Sequence, residues 1–249
     1  MDVQVRGPGP VDPFLGARDL FATERTLRRP VTVRIVDDPD ERTRVSHADD
    51  GHRLTIPKQA ATSAMARELA LHEFAHMHHY ERDHPSHTQS TEEAIFLALA
   101  GRSVERRKLT HCYQIANHTK DIYADDVWLG VAPGDKLVAF LESSLAAAVA
   151  DRPRDPPAWE RLTPAADPEI TAVNAAFALA LVERHGLVDD DHRLYDLAHA
   201  ASADAPGTDL ERFKREFRTL AEDPDESEFR KALVDLTRAY AAGDAPAAD

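Results

Sequence analysis

The run from Ser63 to Glu81, SAMARELALHEFAHMHHYE, constrains this chain more than any other stretch. Ala, Met, Glu and Leu are strong helix formers, and no Pro interrupts the chain from Lys58 to His84, so a helix is expected here. Inside it, His72-Glu73-Phe74-Ala75-His76 reads HEFAH. Residues four apart stand over one another on one helix face, so His72 and His76 can hold a metal ion between them. Glu73 is turned about 100° from His72, beside the pair, where it can reach a metal-bound water. Two neutral imidazoles, a further protein ligand and an open position for water make a zinc-hydrolase centre. Zinc lowers the pKa of that water to about 7, and a glutamate base takes its proton as it attacks a carbonyl. Met65, Leu69, His72, His76 and His79 fall within about 80° of one another, so the histidines continue an apolar stripe. A lone histidine on such a face is ordinarily a core or rim residue. The pair with its glutamate is different, because HExxH arises by chance only roughly 0.05 times in a chain of this composition.

Two histidines bind zinc weakly unless a further ligand completes the site. A third histidine six residues past the second, the metzincin arrangement, is ruled out because that position is Arg82. His78 points off the His72/His76 face, and three histidines on consecutive turns of a straight helix cannot all converge on one ion, which argues against His79. The next helix opens with Ser90-Thr91-Glu92-Glu93, a capping-box start followed by the apolar run AIFLALAG. Glu93 is the expected third ligand, with Glu92, Glu105 or a further His as alternatives; its competing role is that of cap partner to Ser90. Ligating imidazoles usually donate their second N–H to an oxygen, a role open to Asp83, Asp121 or Asp125. His111, Tyr113, His118 and Tyr123 are the candidate donors to an oxyanion.

The formal charge is −14, and its make-up is more telling than its size: 27 Asp and 17 Glu face 24 Arg and only 6 Lys. Avoidance of Lys with loading of Asp suits a chain kept hydrated in concentrated salt, where screening removes self-repulsion. A halophilic, cytoplasmic origin is expected. Such a charge disfavours nucleic acid as a partner, and the cluster Arg102, Arg106, Arg107 and Lys108 reads as a solvated helix face. The single cysteine, Cys112, excludes an intramolecular disulfide and a multi-Cys zinc site; an inert half-buried thiol is expected. MDVQVRGPGP has neither a basic nor an apolar signal region, and no run of about 18 apolar residues occurs, so neither secretion nor membrane insertion is expected.

Taken in order, residues 1–13 read as irregular, 14–27 as a short helix ended by Pro30, and Val31–Val36 as a strand. Residues 43–47 and 53–56 flank Asp49-Asp50-Gly51 as a β-hairpin, and 53–56 is the expected edge for an extended peptide. The helix opening at Ser90 is expected to continue through 102–109, bent at Gly101, and 134–150 is strongly amphipathic. Prolines crowd 151–168, a linker by composition, and helical periods follow at about 168–186, 191–203, 208–222 and 226–242. The expected fold is α+β and mostly helical. A small N-terminal sheet packs on the HExxH helix within a domain spanning 1–150, followed by the linker at 151–168. An all-helical domain spans 169–242, and 243–249 forms a tail.

Together HEFAH, STEEAIFLALAGRSVERRK and the Asp-rich, Lys-poor background resemble an uncharacterised family of haloarchaeal proteins whose members look like gluzincin-type zinc metallopeptidases around the motif. The likeness to characterised peptidases covers about residues 50–125, where Glu93-Ala94-Ile95 is similar to the thermolysin-type second motif; Phe96 and Leu97 stand where that family has a Ser-Asp pair. The resemblance implies His72 and His76 as zinc ligands and Glu73 as catalytic base, and names no substrate. The expected function is hydrolysis of a peptide or protein by a zinc peptidase, with the C-terminal helices as a surface for a partner or a second copy. The competing functions are a non-catalytic zinc-binding interaction module, against which an intact Glu73 argues, and a zinc hydrolase of a small amide or ester.

Overall fold

Val3–Arg6 and Val31–Val36 carry β-branched residues at alternate positions, and in the computed structural model they form strands β1 and β2. The structure describes residues 1–150 and 167–242. The opening segment therefore holds a strand that its Gly and Pro content concealed. Four residues are too few for a periodic signal, and β1 is ordered by parallel pairing with β2, Val3 opposite Val31 through Arg6 opposite Arg34. Asp12–Phe21, with Pro13 in its first turn, forms α1 between them and supplies the crossover that parallel strands need.

Arg44–Ala48 (β3) and Gly51–Pro57 (β4) form the expected hairpin around Asp49-Asp50. Gly51 has φ 151°, and a Cβ there would stand 2.7 Å from the Pro30 carbonyl oxygen, so the close approach of hairpin to chain requires glycine. The sheet order is β1-β2-β4-β3. This order corrects one expectation. Residues 53–56 are not an edge, because β4 pairs with β2 on one side and β3 on the other, Arg53 lying opposite both Thr32 and Ser46. Leu54, Thr55 and Ile56 are buried in succession, as befits an interior strand, whereas β3 alternates exposed and half-buried residues and is, with β1, one of the two edge strands.

Lys58–Ala61 (α2) leads to α3, Ala66–Glu81, the helix expected around HEFAH. Phe21 of α1 meets Phe74 edge-on at 6.1 Å and the His78 ring at 5.9 Å. The face of α3 turned to this core is Ala70, Leu71, Phe74, Ala75, Met77 and His78. Met65, Leu69, His72, His76 and His79 are half-buried instead. The stripe read as apolar is thus a partly open face, because α1 packs on the other side. Pro85–Thr88 (α4) follows.

Ser90 caps Thr91–Leu99 (α5), its Oγ accepting from the Glu93 amide at 3.2 Å. The expected continuation through 102–109 does not occur as one helix. Gly101, at φ 76°, breaks it, and Arg106–Trp128 (α6) starts anew. The remaining helices are Asp135–Ala150 (α7), Pro168–His185 (α8), Arg193–Ser202 (α9), Leu210–Arg218 (α10) and Glu226–Ala242 (α11). α8 is buried almost all round, from Ile170 to Val182, and so serves as a central core helix. Asp167 caps it and accepts a bidentate pair from Arg107, while Tyr240 of α11 donates to Glu169 at 2.7 Å.

The fold is α+β and mostly helical, with a small four-stranded N-terminal sheet and an all-helical C-terminal part. The chain forms two compact units, residues 1–88 with 123–137, and 89–122 with the chain from 138 onward. The expected blocks, 1–150 and 169–242, are continuous in sequence; these units are not, because α6 contributes to both. The expected tail at 243–249 lies outside the described residues, as does the expected linker except Asp167 and Pro168, which open α8. Among the described residues no helix is long and apolar enough to cross a membrane.

Candidate metal centre

Helix α3 places His72 and His76 on one face with their Nε2 atoms turned toward each other at 2.9 Å and their rings nearly perpendicular. The other nitrogen of each ring is engaged elsewhere. His72 Nδ1 lies 2.7 Å from Asp125 Oδ1, and His76 Nδ1 lies 2.8 Å from His87 Nε2. Asp125, on the last turns of α6, is 4 % exposed, and the same oxygen accepts from Trp128 Nε1 at 2.6 Å. A buried carboxylate that must accept places the proton of a neutral His72 on Nδ1, leaving the Nε2 lone pair toward His76. Of the three carboxylates that could orient a ligand, the structure brings Asp125 to His72. Asp83 instead sits in the turn after α3 at φ 52°. Asp121 stands one turn before Asp125 on α6, half-buried on the same helix face, with His118 Nδ1 3.7 Å from its Oδ2.

Glu73 follows His72 and is half-buried on the adjoining side of α3. His79 does not join the pair: its Nε2 donates to the Tyr123 carbonyl at 2.9 Å, and burial pushes its ring down to about 4, so it is neutral at neutral pH. Glu93, the expected third ligand, is exposed in the first turn of α5 in the second unit, where its amide completes the Ser90 cap. Glu92 and Glu105 are exposed as well. Among the candidate oxyanion donors, His111 is buried against Tyr240, and His118 donates to Asn174 Oδ1 at 2.8 Å while stacking on Phe177. Tyr113 is partly exposed and Tyr123 is buried.

A second network anchors the C-terminal end of α3. Glu81 accepts the amides of Arg28 at 2.7 Å and Arg29 at 2.8 Å, and pairs with His52 Nε2 at 3.0 Å. Burial alone would raise this carboxyl's pKa, but these donors outweigh it and hold it below the ordinary 4.5. His52 Nδ1 meets His47 Nδ1 of β3 at 2.8 Å, and the His47 ring stacks on Tyr80 at 3.7 Å. Tyr80 is one turn beyond His76 on the same face of α3. The His47 end of β3, an edge strand, therefore lies against the turn of α3 that follows His76. This network was not read from the sequence. Its only signal was the cross-strand position of two histidines in a hairpin.

A family model matches residues 1–242, nearly the whole chain. The chain belongs to DUF5781, a family of unknown function. No curated protein and no solved structure matches it. For this DUF5781 chain the chemistry of the site therefore rests on its own side chains. Two imidazole nitrogens converge and each ring is held from behind, a donor pair of the kind that a borderline divalent ion such as zinc takes.

Proposed function

We propose that this protein is a zinc-dependent peptidase whose metal is held by the His72 and His76 pair and whose general base is Glu73. The observation that carries the reading is the convergence of the two Nε2 atoms at 2.9 Å with both Nδ1 atoms tied to other side chains. Glu93, the expected third ligand, is exposed and its amide completes the Ser90 cap, so the proposal rests on the histidine pair itself. Zinc in such a centre supplies Lewis acidity, polarising a carbonyl and making water a usable nucleophile near neutral pH. Glu73 takes the proton of the attacking water and passes it to the leaving amine. Asp125 holds the His72 ring in register, and Trp128 fixes Asp125 in turn.

The substrate proposed is an extended peptide, paired to the free edge of β3 through its backbone. The charge of −14 with only 6 Lys supports a salt-rich cytoplasm of haloarchaeal type as the setting, and argues against a nucleic-acid substrate. The C-terminal helices are proposed as a surface for a partner or a second copy. The test is zinc content and peptide hydrolysis of the protein purified in high salt without an affinity tag. Wild type is expected to carry about one zinc per chain, His72→Ala to lose metal and activity, and Glu73→Gln to keep metal while losing about 10²–10⁴ in rate. Glu93→Ala tests the third ligand: loss of zinc would assign Glu93 that role, and unchanged zinc content would exclude it. Zinc without hydrolysis of any peptide or small amide would favour a non-catalytic module. Absence of zinc uptake by the wild type would end the reading.

A further inference from the structure

Behind His76 the side chains form a chain of hydrogen bonds whose direction can be read from one end. Asp83, in the left-handed region at φ 52°, turns the chain after α3, and His84 then precedes the short helix α4, with Pro85 at its first position. The Ser86 amide donates to His84 Nδ1 at 3.2 Å, so that nitrogen is an acceptor and carries no proton. The Ser86 hydroxyl lies 2.7 Å from the same nitrogen and must therefore be the donor there. Its oxygen is left to accept, and it does so from His87 Nδ1 at 2.7 Å. A neutral His87 with its proton on Nδ1 presents a bare Nε2, which accepts from His76 Nδ1 at 2.8 Å. His76 then carries its ring proton on Nδ1 and directs Nε2 at His72 Nε2. Ser86 is 0 % exposed, so no water competes for its hydroxyl, and the His87 ring is further held by stacking on His79 at 5.4 Å.

With His87 neutral, the direction of each bond in this series follows from a backbone amide, and the outcome is the one tautomer of His76 that can bind a metal through Nε2. Asp125 imposes the same tautomer on His72 from the opposite side. We infer that His87, backed by Ser86 and His84, is a positioning residue that fixes His76 as a metal ligand. Unlike a carboxylate, an imidazole acceptor brings no negative charge behind the ligand, so its tautomer must itself be held, which is the task of Ser86. This inference rests on the reading of His72 and His76 as a metal-binding pair.

The experiment is zinc affinity of the full chain, by competition with a chromophoric chelator in high salt, for wild type, His72→Ala, His87→Ala, His87→Gln and Ser86→Ala. Thermal unfolding in chelator provides the control for folding. His87→Ala is expected to lose about 10–100-fold in zinc affinity, and Ser86→Ala about tenfold, with metal-free melting temperatures close to wild type. His87→Gln places an amide oxygen where Nε2 was, can still accept from His76, and is expected to return affinity to within a few-fold of wild type. A residue that merely filled space would give no such rescue. Equal zinc affinity in wild type, His87→Ala and Ser86→Ala, with His72→Ala abolishing binding, would overturn this inference and leave the metal centre standing. Should His87→Ala fail to fold, Ser86→Ala and His87→Gln decide: unchanged affinity in the first, or a full loss in the second, overturns it. No zinc binding by the wild type would overturn both readings.

Discussion

His47 and His79 show how burial changes what a titratable residue does. Burial, reinforced by the charges of His52 and Arg29, holds His47 at about 4 against an ordinary 6.5. In the unfolded chain this ring takes a proton as pH falls through about 6.5, whereas in the folded protein it does so only near 4. Between those values the unfolded state binds more protons, so stability falls as pH falls. Glu81 adds a loss at lower pH, since its depressed carboxyl contributes stability that is present above 4.5 and lost as pH drops through its folded value. The denaturation midpoint at fixed salt is therefore expected to be lower at pH 5 than at pH 7. His47→Phe, which keeps a ring to stack on Tyr80, should flatten that dependence; an unchanged slope would assign it elsewhere. Cys112 makes a simpler case. It is 0 % exposed, and burial pushes its thiol up to about 11, so alkylation of the native protein at pH 7.5 should be negligible and should become complete in denaturant. Rapid labelling of the native chain would contradict its burial.

The element that matters most for the proposed substrate is β3, and its register says where to test it. The His52 amide donates to the Pro30 carbonyl, away from β3, so His47 and His52 are a pair that exchanges no backbone bonds. Two residues along, Val45 opposite Leu54 is in the same phase, so the Val45 N–H faces the free edge. Val45→Pro removes that outward donor with little cost to the β3–β4 ladder. The expected result is normal zinc content with hydrolysis of extended peptides reduced at least tenfold, mainly through KM. Unchanged kinetics would place the substrate elsewhere. The break between α5 and α6 belongs to this scale too. Gly101 was legible as a bend, but whether a glycine bends or ends a helix depends on the φ it adopts, here 76°.

At the scale of the whole molecule, a charge of −14 repels itself at low ionic strength. The Debye length shrinks from about 10 Å at 0.1 M salt to about 3 Å at 1 M, so the melting temperature is expected to rise with KCl across that range and beyond. A melting temperature that fell or stayed flat would remove the basis for a salt-adapted setting. The same scale separates what sequence determines from what it leaves open. HEFAH in a run of strong helix formers determined α3 and the shared face of His72 and His76, because a helical period places i and i+4 together wherever the helix lies. The α+β class, the hairpin and most C-terminal helices followed likewise from local periodicity. Which strands were the edges of the sheet, and which carboxylate reached His72, did not. Asp125 is 53 residues from His72 and lies in a stretch whose polar residues mask its helical period. β4 became an interior strand through pairing with a strand fifteen or more residues away. Contacts of that separation leave no period in the sequence, because they depend on where whole elements pack. The local spacing therefore determined the histidine pair, and tertiary packing decided which side chains hold it from behind.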